Sequence, residues 1–519
     1  MLPKNNSRRF TYQDKNVNIR LIARIKMNKY LLSIDQGTTN SRAYIFSHLG
    51  DVISHHEISL NQYHPSLGWA EQDPEEIGSN IVLCCQETLR KSQLSAAQIS
   101  AIGITNQRET TLIWDKKTGK TIYPAIVWYD RRTDEICQQF ANHDINHYIQ
   151  EKTGLLLDPY FSASKIIWLL NHVPGARIKA ERGELIFGTI DTFLLWRLTK
   201  GAVHATDATN ASRTLLFDIQ NQRWDKKILD TFDIPEILLP KVLNSSDDYG
   251  EMSADILGSR IPIRSLIGDQ QAATVGQACF KAGMVKATYG TGCFVLLNTG
   301  DQLVQSRNRL LSTIAYRLNG EVTYGLEGSI FSAGTIIKWL RDKLKIITSA
   351  PESELLAQSV DDNDGVYLVP AFSGLGAPYW KPNAKAAILG LTNNSTREHI
   401  VRAGLEAVAY QTKDLFNCML DYPQPFSAVR VDGGMAANNW LLQFISDMID
   451  LPIHRPICTE TTALGAAFLA GLAIGAYQSL EEISHIWQMN KVFSPMMKEE
   501  RREYLYERWK SAVEVVIKG

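Results

Sequence analysis

Residues 32–46 read LSIDQGTTNSRAYIF. Two apolar runs, 30–34 and 43–46, have strand character, and the polar turn between them is too short to bury a core. Gly37 lets other groups approach the backbone closely, and the amides of such a turn can point at an anion. Thr38 and Thr39 add hydroxyl donors, and Arg42 adds a guanidinium suited to phosphate oxygens. Asp35 is acceptor-only when ionised, so phosphate beside it would be repelled unless a cation stood between them. The combination points to a nucleotide carrying Mg²⁺. The plain alternative is an ordinary hairpin, with Asp35 capping the turn and Arg42 in water.

Working outward, DVISHHEISL continues the strands, a helix is predicted over 74–91, and a buried strand over 99–105. Alternating strands and helices give an α/β fold. The pattern resets near residue 261, where IPIRSLIG reads as a strand and DQQAATVGQ opens a helix. Then GMVKATYGTGCFVLLNTG, residues 283–300, repeats strand, Gly-Thr turn, strand. A duplicated domain explains the two hairpins, but so do two unrelated hairpins, since Asp35 has no acidic counterpart near Tyr289. Strands VYLVP and AVRVDGG then alternate with helices predicted over 396–420, 438–451 and 462–474. Two halves packed around a cleft are expected.

A chain of 519 residues exceeds one hydrophobic core. Its 45% hydrophobic and 21% charged content is that of an ordinary globular protein. A net charge of -1 argues against nucleic acid as a partner. No run of eighteen apolar residues predicts a membrane span. The seven cysteines are scattered without a C-x-x-C pair, which fits reduced thiols in the cytoplasm. Residues 1–27 read as a basic extension, either a disordered tail or a stretch upstream of a start at Met27.

Two further loops offer amides and hydroxyls to a phosphate or a flat ligand: YGTGCF at 289–294 and VDGGMAANN at 431–439. Neither standard nucleotide loop, G-x-x-x-x-G-K-[ST] or G-x-G-x-x-G after a strand, is present. Asn438 in the second loop is equally a helix N-cap. Arg108 and Glu109 follow the strand at 99–105, and Asp269 and Gln270 follow the strand at 261–268. Such strand ends are where α/β sheets bind ligands, and an acid, a guanidinium and an amide can fix the hydroxyls of a polyol.

These motifs, with AIVWYDRR, TGLLLDPYFSASKIIWLL, PAFSGLGAPYW and TALGAAFLAG, run in order from near Met27 almost to the C-terminus. The chain closely resembles the FGGY carbohydrate kinases, and among them those acting on glycerol. The resemblance implies two actin-like, ribonuclease-H-like ATPase domains flanking a central cleft, divided as 28–274 and 275–519. It implies ATP and Mg²⁺ as cofactors and transfer of phosphate to glycerol, giving sn-glycerol 3-phosphate. Arg108, Glu109, Tyr160, Asp269 and Gln270 match the polar contacts to glycerol, and Trp128 and Phe294 the apolar wall. Thr38, Thr39, Asn40, Arg42, Thr291, Gly334, Gly434 and Asn438 match the ATP contacts. Asp35 and Asp269 match the acids near Mg²⁺, and Asp269 the general base. By analogy a cytoplasmic homodimer or homotetramer is expected. Asn40 stands where many relatives have serine. The stretch SADILGSR, 253–260, lacks the glycine-rich loop of members inhibited by fructose 1,6-bisphosphate, so that control is not expected. The rival readings are a kinase of a sugar such as xylulose, separable by a polyol and ketose panel, and an actin-like protein that assembles on ATP.

Overall fold

In the computed structural model, which describes residues 30–141, 144–381 and 383–518, the opening stretch is a β-hairpin; the 1–27 extension lies outside these residues. Strand β1 (Tyr30–Gln36) pairs antiparallel with β2 (Asn40–Ser47), and Asp35 faces Arg42 in register. The turn is therefore only Gly37, Thr38 and Thr39. Asp35, read from the sequence as part of the turn, belongs to the strand, because its backbone is laddered on both sides, to Arg42 and to Thr105. An exposed strand β3 (Val52–Ser59) flanks β2, and helix α1 (Pro74–Ser92) follows, N-capped by Asp73 with Pro74 in its first turn.

Strand β4 (Ile99–Asn106) runs parallel to β1, and β5 (Ile261–Gly268) runs parallel to β4. With a two-residue strand, Glu251–Met252, at its edge, the first sheet has six strands, whose main order is β5-β4-β1-β2-β3. Between β4 and β5 the chain makes a satellite layer that includes helix α2 (Ser162–His172). Helix α3 (Asp269–Gly276) leaves directly from the end of β5.

The second sheet repeats the plan. Hairpin β6 (Met284–Tyr289) and β7 (Cys293–Gly300) is antiparallel, and β8 (Leu311–Leu318) and β9 (Glu321–Ile330) follow. After helices α4 (Gly334–Asp342) and α5 (Arg397–Cys418), β10 (Ala428–Asp432) lies parallel to β6. Helix α6 (Asn439–Ile449) and a strand β11 (Ile453–Pro456) parallel to β10 come next. The order is β8-β9-β7-β6-β10-β11, with β12 (Met489–Phe493) outermost. Setting aside β8 and β12, the order and directions match the first sheet, so the two Gly-Thr hairpins occupy equivalent positions in a repeated unit. The VYLVP run forms no strand of either large sheet. Its Tyr367–Val369 pairs only with Ala387–Leu389 in a separate ribbon.

Helix α7 (Thr461–Ala473) is the counterpart of α3, each following the last parallel strand of its half. It crosses to the first sheet: Ala463, Ala466, Ala467 and Ala470 bury against Leu31, Phe46, Ala101 and Ile267. Glycine makes that approach possible. A Cβ built on Gly465 would lie 1.8 Å from the Ala272 carbonyl oxygen, one on Gly276 1.9 Å from that of Thr461, and one on Gly103 2.2 Å from that of Ala466. These contacts join the two halves backbone to backbone.

The last helix, α8 (Glu499–Lys518), docks on α5 through one buried acid. Asp414 accepts from Tyr506 Oη at 2.6 Å, Trp509 Nε1 at 3.0 Å and Tyr379 Oη at 3.0 Å. Burial pushes its carboxyl up to about 6. Tyr379 belongs to the GLGAPYW stretch, so that loop is fixed to the helical layer. No two of the seven cysteines are joined in a disulfide among the described residues.

Candidate active site

Each loop singled out in the sequence sits at the carboxyl end of a central strand: the Gly37–Thr39 turn after β1, Arg108 after β4, Asp269 after β5, Gly290 after β6 and Gly433 after β10. Open α/β sheets bind ligands at such ends. The first turn is held rigidly. Gln72 Nε2 donates to the Thr38 carbonyl at 2.7 Å, Gln107 Nε2 to that of Gly37 at 3.3 Å, and the Leu60 amide to that of Thr39 at 2.8 Å. Trp128 Nε1 donates to Thr38 Oγ1 at 3.0 Å, which leaves the threonine hydroxyl its own proton to donate. Arg42 Nη1 lies 3.4 Å from Asp35 Oδ2, and its Nε lies 3.2 Å from Glu57 Oε2, which Asn40 Nδ2 also approaches at 3.3 Å. Both predicted phosphate contacts thus meet on Glu57, an edge-strand acid that the sequence reading had passed over. Burial pushes the Asp35 carboxyl up to about 6; Arg42 opposes this, and Asp269 and Glu460 add to it.

Next to this turn lies a buried charge network. Arg108 forks onto Glu327, Nη1 to Oε2 at 2.5 Å and Nη2 to Oε1 at 3.2 Å. Its Nε lies 3.3 Å from Asp269 Oδ1 and 3.9 Å from Glu109 Oε1, and its Nη2 is 3.5 Å from the Tyr160 hydroxyl. Arg213 bonds Glu109 at 2.7 Å and Glu327 at 2.9 Å. Glu109 itself has a left-handed backbone, φ 61°, held by Ser162 Oγ and Thr111 Oγ1 donating to its carbonyl. Burial pushes the Glu327 carboxyl up, but Arg108 and Arg213 outweigh it and hold it down to about 2. For Asp269 burial wins over Arg108 and Lys286, and its carboxyl titrates above the usual range.

Arg213, Glu327 and Lys286 escaped the sequence reading. The only signal for Glu327 was a lone acid within the otherwise uncharged stretch YGLEGSI. Lys286, fully buried in β6, donates to Gln270 Oε1 at 2.6 Å, which turns that carboxamide so its NH₂ is the end left for a substrate oxygen. The wall expected of Trp128 and Phe294 is present and larger. Trp128 meets Phe294 edge-on at 6.3 Å and Tyr160 at 5.5 Å between ring centroids. Trp128 comes from the first half and Phe294 from β7 of the second, so the wall is complete only where the halves meet. Tyr160 is fixed from behind by buried Lys165, whose Nζ donates to the carbonyls of Pro159, Tyr160 at 3.0 Å and Phe161 at 3.3 Å.

On the other side, exposed Thr291 tops the β6–β7 turn, and its carbonyl accepts the amides of Ala333 and Thr335, each at 3.0 Å. Gly334, first in α4, donates to the Gly290 carbonyl at 3.0 Å, and a Cβ there would lie 2.6 Å from that oxygen. Gly433, φ +89°, lets the chain pass Tyr289, where a Cβ would lie 2.5 Å from the Tyr289 carbonyl oxygen. A Cβ on Gly434 would meet nothing within 4 Å, so that backbone is open to a flat ligand. Asn438 Oδ1 N-caps α6 through the Leu441 amide at 2.8 Å, the plainer role read from the sequence, and keeps its NH₂ as a donor. Among the described residues no cluster of three or more His, Cys, Asp or Glu is suited to a metal. Mg²⁺ does not need one, since it is commonly held by one or two carboxylates plus phosphate and water. The hard oxygens of Asp35 and Asp269, the second near enough to help raise the first's affinity for a proton, fit it.

A repeated five-stranded sheet whose strand ends converge on phosphate-type turns defines the two-domain actin-like ATPase fold. Residues 30–276 match the N-terminal domain, and residues 285–474 the C-terminal domain, of the FGGY family of carbohydrate kinases. The chain belongs to that family. It is 57% identical over 489 residues to a glycerol kinase of Coxiella burnetii, covering 94% of this chain and 98% of that one. It is 54% identical over 489 residues to glycerol kinase 1 of Pseudomonas aeruginosa, with 94% and 99% covered. The crystal structure of Plasmodium falciparum glycerol kinase with ADP superposes with a TM-score of 0.88 at 39% identity, covering 94% of this chain and 98% of that one.

Proposed function

We propose that this protein transfers the γ-phosphoryl group of ATP to a terminal hydroxyl of glycerol, giving sn-glycerol 3-phosphate and ADP. The observation that carries the reading is the join between two kinds of site. Trp128, the wall of a small polar pocket, is hydrogen-bonded to Thr38 of the phosphate-type turn at 3.0 Å. A carbon chain lying on Trp128 and Phe294 would turn its hydroxyls toward Arg108, Glu109, Gln270 and Asp269, which suits a triol with one apolar and one polar face. The domain of 28–274 would supply most of that pocket, and 275–519 the nucleoside end at Gly434 and Asn438.

In-line phosphoryl transfer asks for positioning and charge neutralisation. Asp269 accepts the proton of the attacking hydroxyl. Arg108 and Glu109 hold the other hydroxyls through charge-assisted hydrogen bonds. Thr38, Thr39, Thr291 and Gly334 cradle the phosphates, and Arg42, released from Glu57, answers their charge. Asp35 and Asp269 would hold Mg²⁺, which when bound supplies neutralisation between the phosphates and these carboxylates. The tryptophan and phenylalanine faces, brought together from the two halves, keep water from the phosphoryl group.

ATP consumption is expected to depend on glycerol, to yield sn-glycerol 3-phosphate by chromatography, and to stop when EDTA removes divalent cations. A panel containing xylulose and other polyols must leave glycerol the best substrate by kcat/KM. ATP hydrolysis that is indifferent to every polyol, with polymer growth in light scattering, would favour an assembling protein instead. Lys165→Met, which releases the carbonyls behind Tyr160, is expected to raise KM for glycerol by about 3–10-fold, the usual worth of a hydrogen bond or two, with KM for ATP unmoved. Equal movement of both constants would deny Lys165 a part in placing Tyr160.

A further inference from the structure

The carboxylate of Glu327 stands behind the pocket rather than in it. Its side chain is 1% exposed, and both its oxygens are engaged. It belongs to β9 in the second sheet, whereas both guanidiniums it binds, Arg108 and Arg213, belong to the first half. The fork onto Arg108 is two-pronged, which fixes the plane of the guanidinium as well as its position. With Nη1 and Nη2 held by Glu327, Arg108 turns its Nε edge toward Asp269 and Glu109. Arg213 donates to Glu109 and Glu327 and lies over the Tyr160 and Phe161 rings, and its Nη1 has no hydrogen-bond partner among the described residues. Without Glu327 the two buried cations would share only Glu109, and no acid from the second half would tell Arg108 where to point.

We infer that Glu327 is a positioning residue for the polyol. It clamps Arg108 across the boundary between the halves, so that the glycerol-binding guanidinium is correctly set only when the second sheet is docked against the first. This rests on the proposed glycerol kinase reading, and it adds a cross-domain link that the side chains in the pocket do not supply by themselves. Glu327 acts on glycerol through Arg108, and it leaves the nucleotide contacts alone.

The test is a double-mutant cycle with glycerol and ATP constants measured separately. Wild-type turnover with glycerol first secures the reading itself. Glu327→Gln is then expected to raise KM for glycerol by about tenfold or more, the effect of one charge-assisted hydrogen bond, with KM for ATP within about twofold. Arg108→Met raises it further, and adding Glu327→Gln to Arg108→Met changes it no more. Glu327→Asp, which keeps the charge at shorter reach, restores part of the loss. Additive effects in the cycle, or an equal rise in both substrates' constants, would overturn the inference, because a merely structural acid would behave that way. If Glu327→Gln does not fold, Glu327→Asp decides alone: glycerol KM must rise about threefold or more with ATP KM steady. An unchanged glycerol KM refutes the clamp.

Discussion

Replacing Asp269 by asparagine is expected to lower kcat by about 10²–10⁴-fold while KM for glycerol moves by less than about tenfold. Asp269 opens α3, and its Oδ1 accepts the Gln270 amide at 2.7 Å and lies 3.3 Å from Arg108 Nε. The asparagine oxygen can keep both contacts, so the pocket keeps its shape. What is lost is the anion that takes the proton. The acid retains 28% side-chain exposure, enough for a hydroxyl from the cleft to approach it, while Glu327 behind the pocket is sealed at 1%. Glu109, paired with Arg213 at 2.7 Å and near Arg108 at 3.9 Å, is placed to accept a hydrogen bond from another hydroxyl, so Asp269 is the carboxylate with room to take the attacking proton. Steady-state assays of ADP release, with a thermal unfolding curve on the same sample, separate chemistry from stability. Near-normal turnover in a folded Asp269→Asn protein would remove that residue from the proton transfer.

Much of this site was legible because strand-end loops announce themselves locally. Gly37, Thr38 and Thr39 interrupt apolar runs, and Arg108 and Asp269 follow buried strands directly, so pattern and chemistry coincide within a few residues. The two Gly-Thr hairpins left a duplicated unit and two unrelated hairpins equally open, and the matching strand orders decide for the first. What stayed hidden depends on contacts between residues far apart in the chain. Glu327 meets Arg108 across 219 positions and Arg213 across 114, and no local spacing encodes such a meeting. Lys286, a lone charge in a strand, carries no local sign of its partner Gln270, 16 positions away. The same limit hid the crossing of α7 onto the first sheet: TALGAAFLAG is apolar all round and carries no stripe to say which layer it joins. The extra length of β1 was missed for a related reason, since Asp35 reads as a turn former while tertiary pairing on both edges holds it extended.

Two glycines inside helices should respond oppositely to the same mutation. Gly78 lies in α1 with its nearest foreign atoms, on the Arg197 side chain, 3.8 Å from a built Cβ; Gly465 lies in α7 with the Ala272 carbonyl oxygen at 1.8 Å. Helix propensity alone predicts that alanine stabilises both by about 0.4–1 kcal/mol. At Gly78 that gain has room to appear. At Gly465 the new methyl meets main chain, with the Ala272 carbonyl carbon at 2.7 Å and the Gly276 amide nitrogen at 2.9 Å, and no rotamer change moves such atoms aside. The helices must separate, and α7 carries with it the seam between the two halves. Gly465→Ala should therefore cost about 3 kcal/mol or more, the upper range for overpacking, and Gly465→Val should give little folded protein. Because Trp128 and Phe294 meet only when the halves are docked, any folded Gly465→Ala should also lose affinity for glycerol before it loses affinity for ATP. Unfolding curves for the pair, read with glycerol titrations, decide it: if Gly465→Ala matched Gly78→Ala in stability, the close backbone approach of α3 and α7 could not be the joint that holds the cleft.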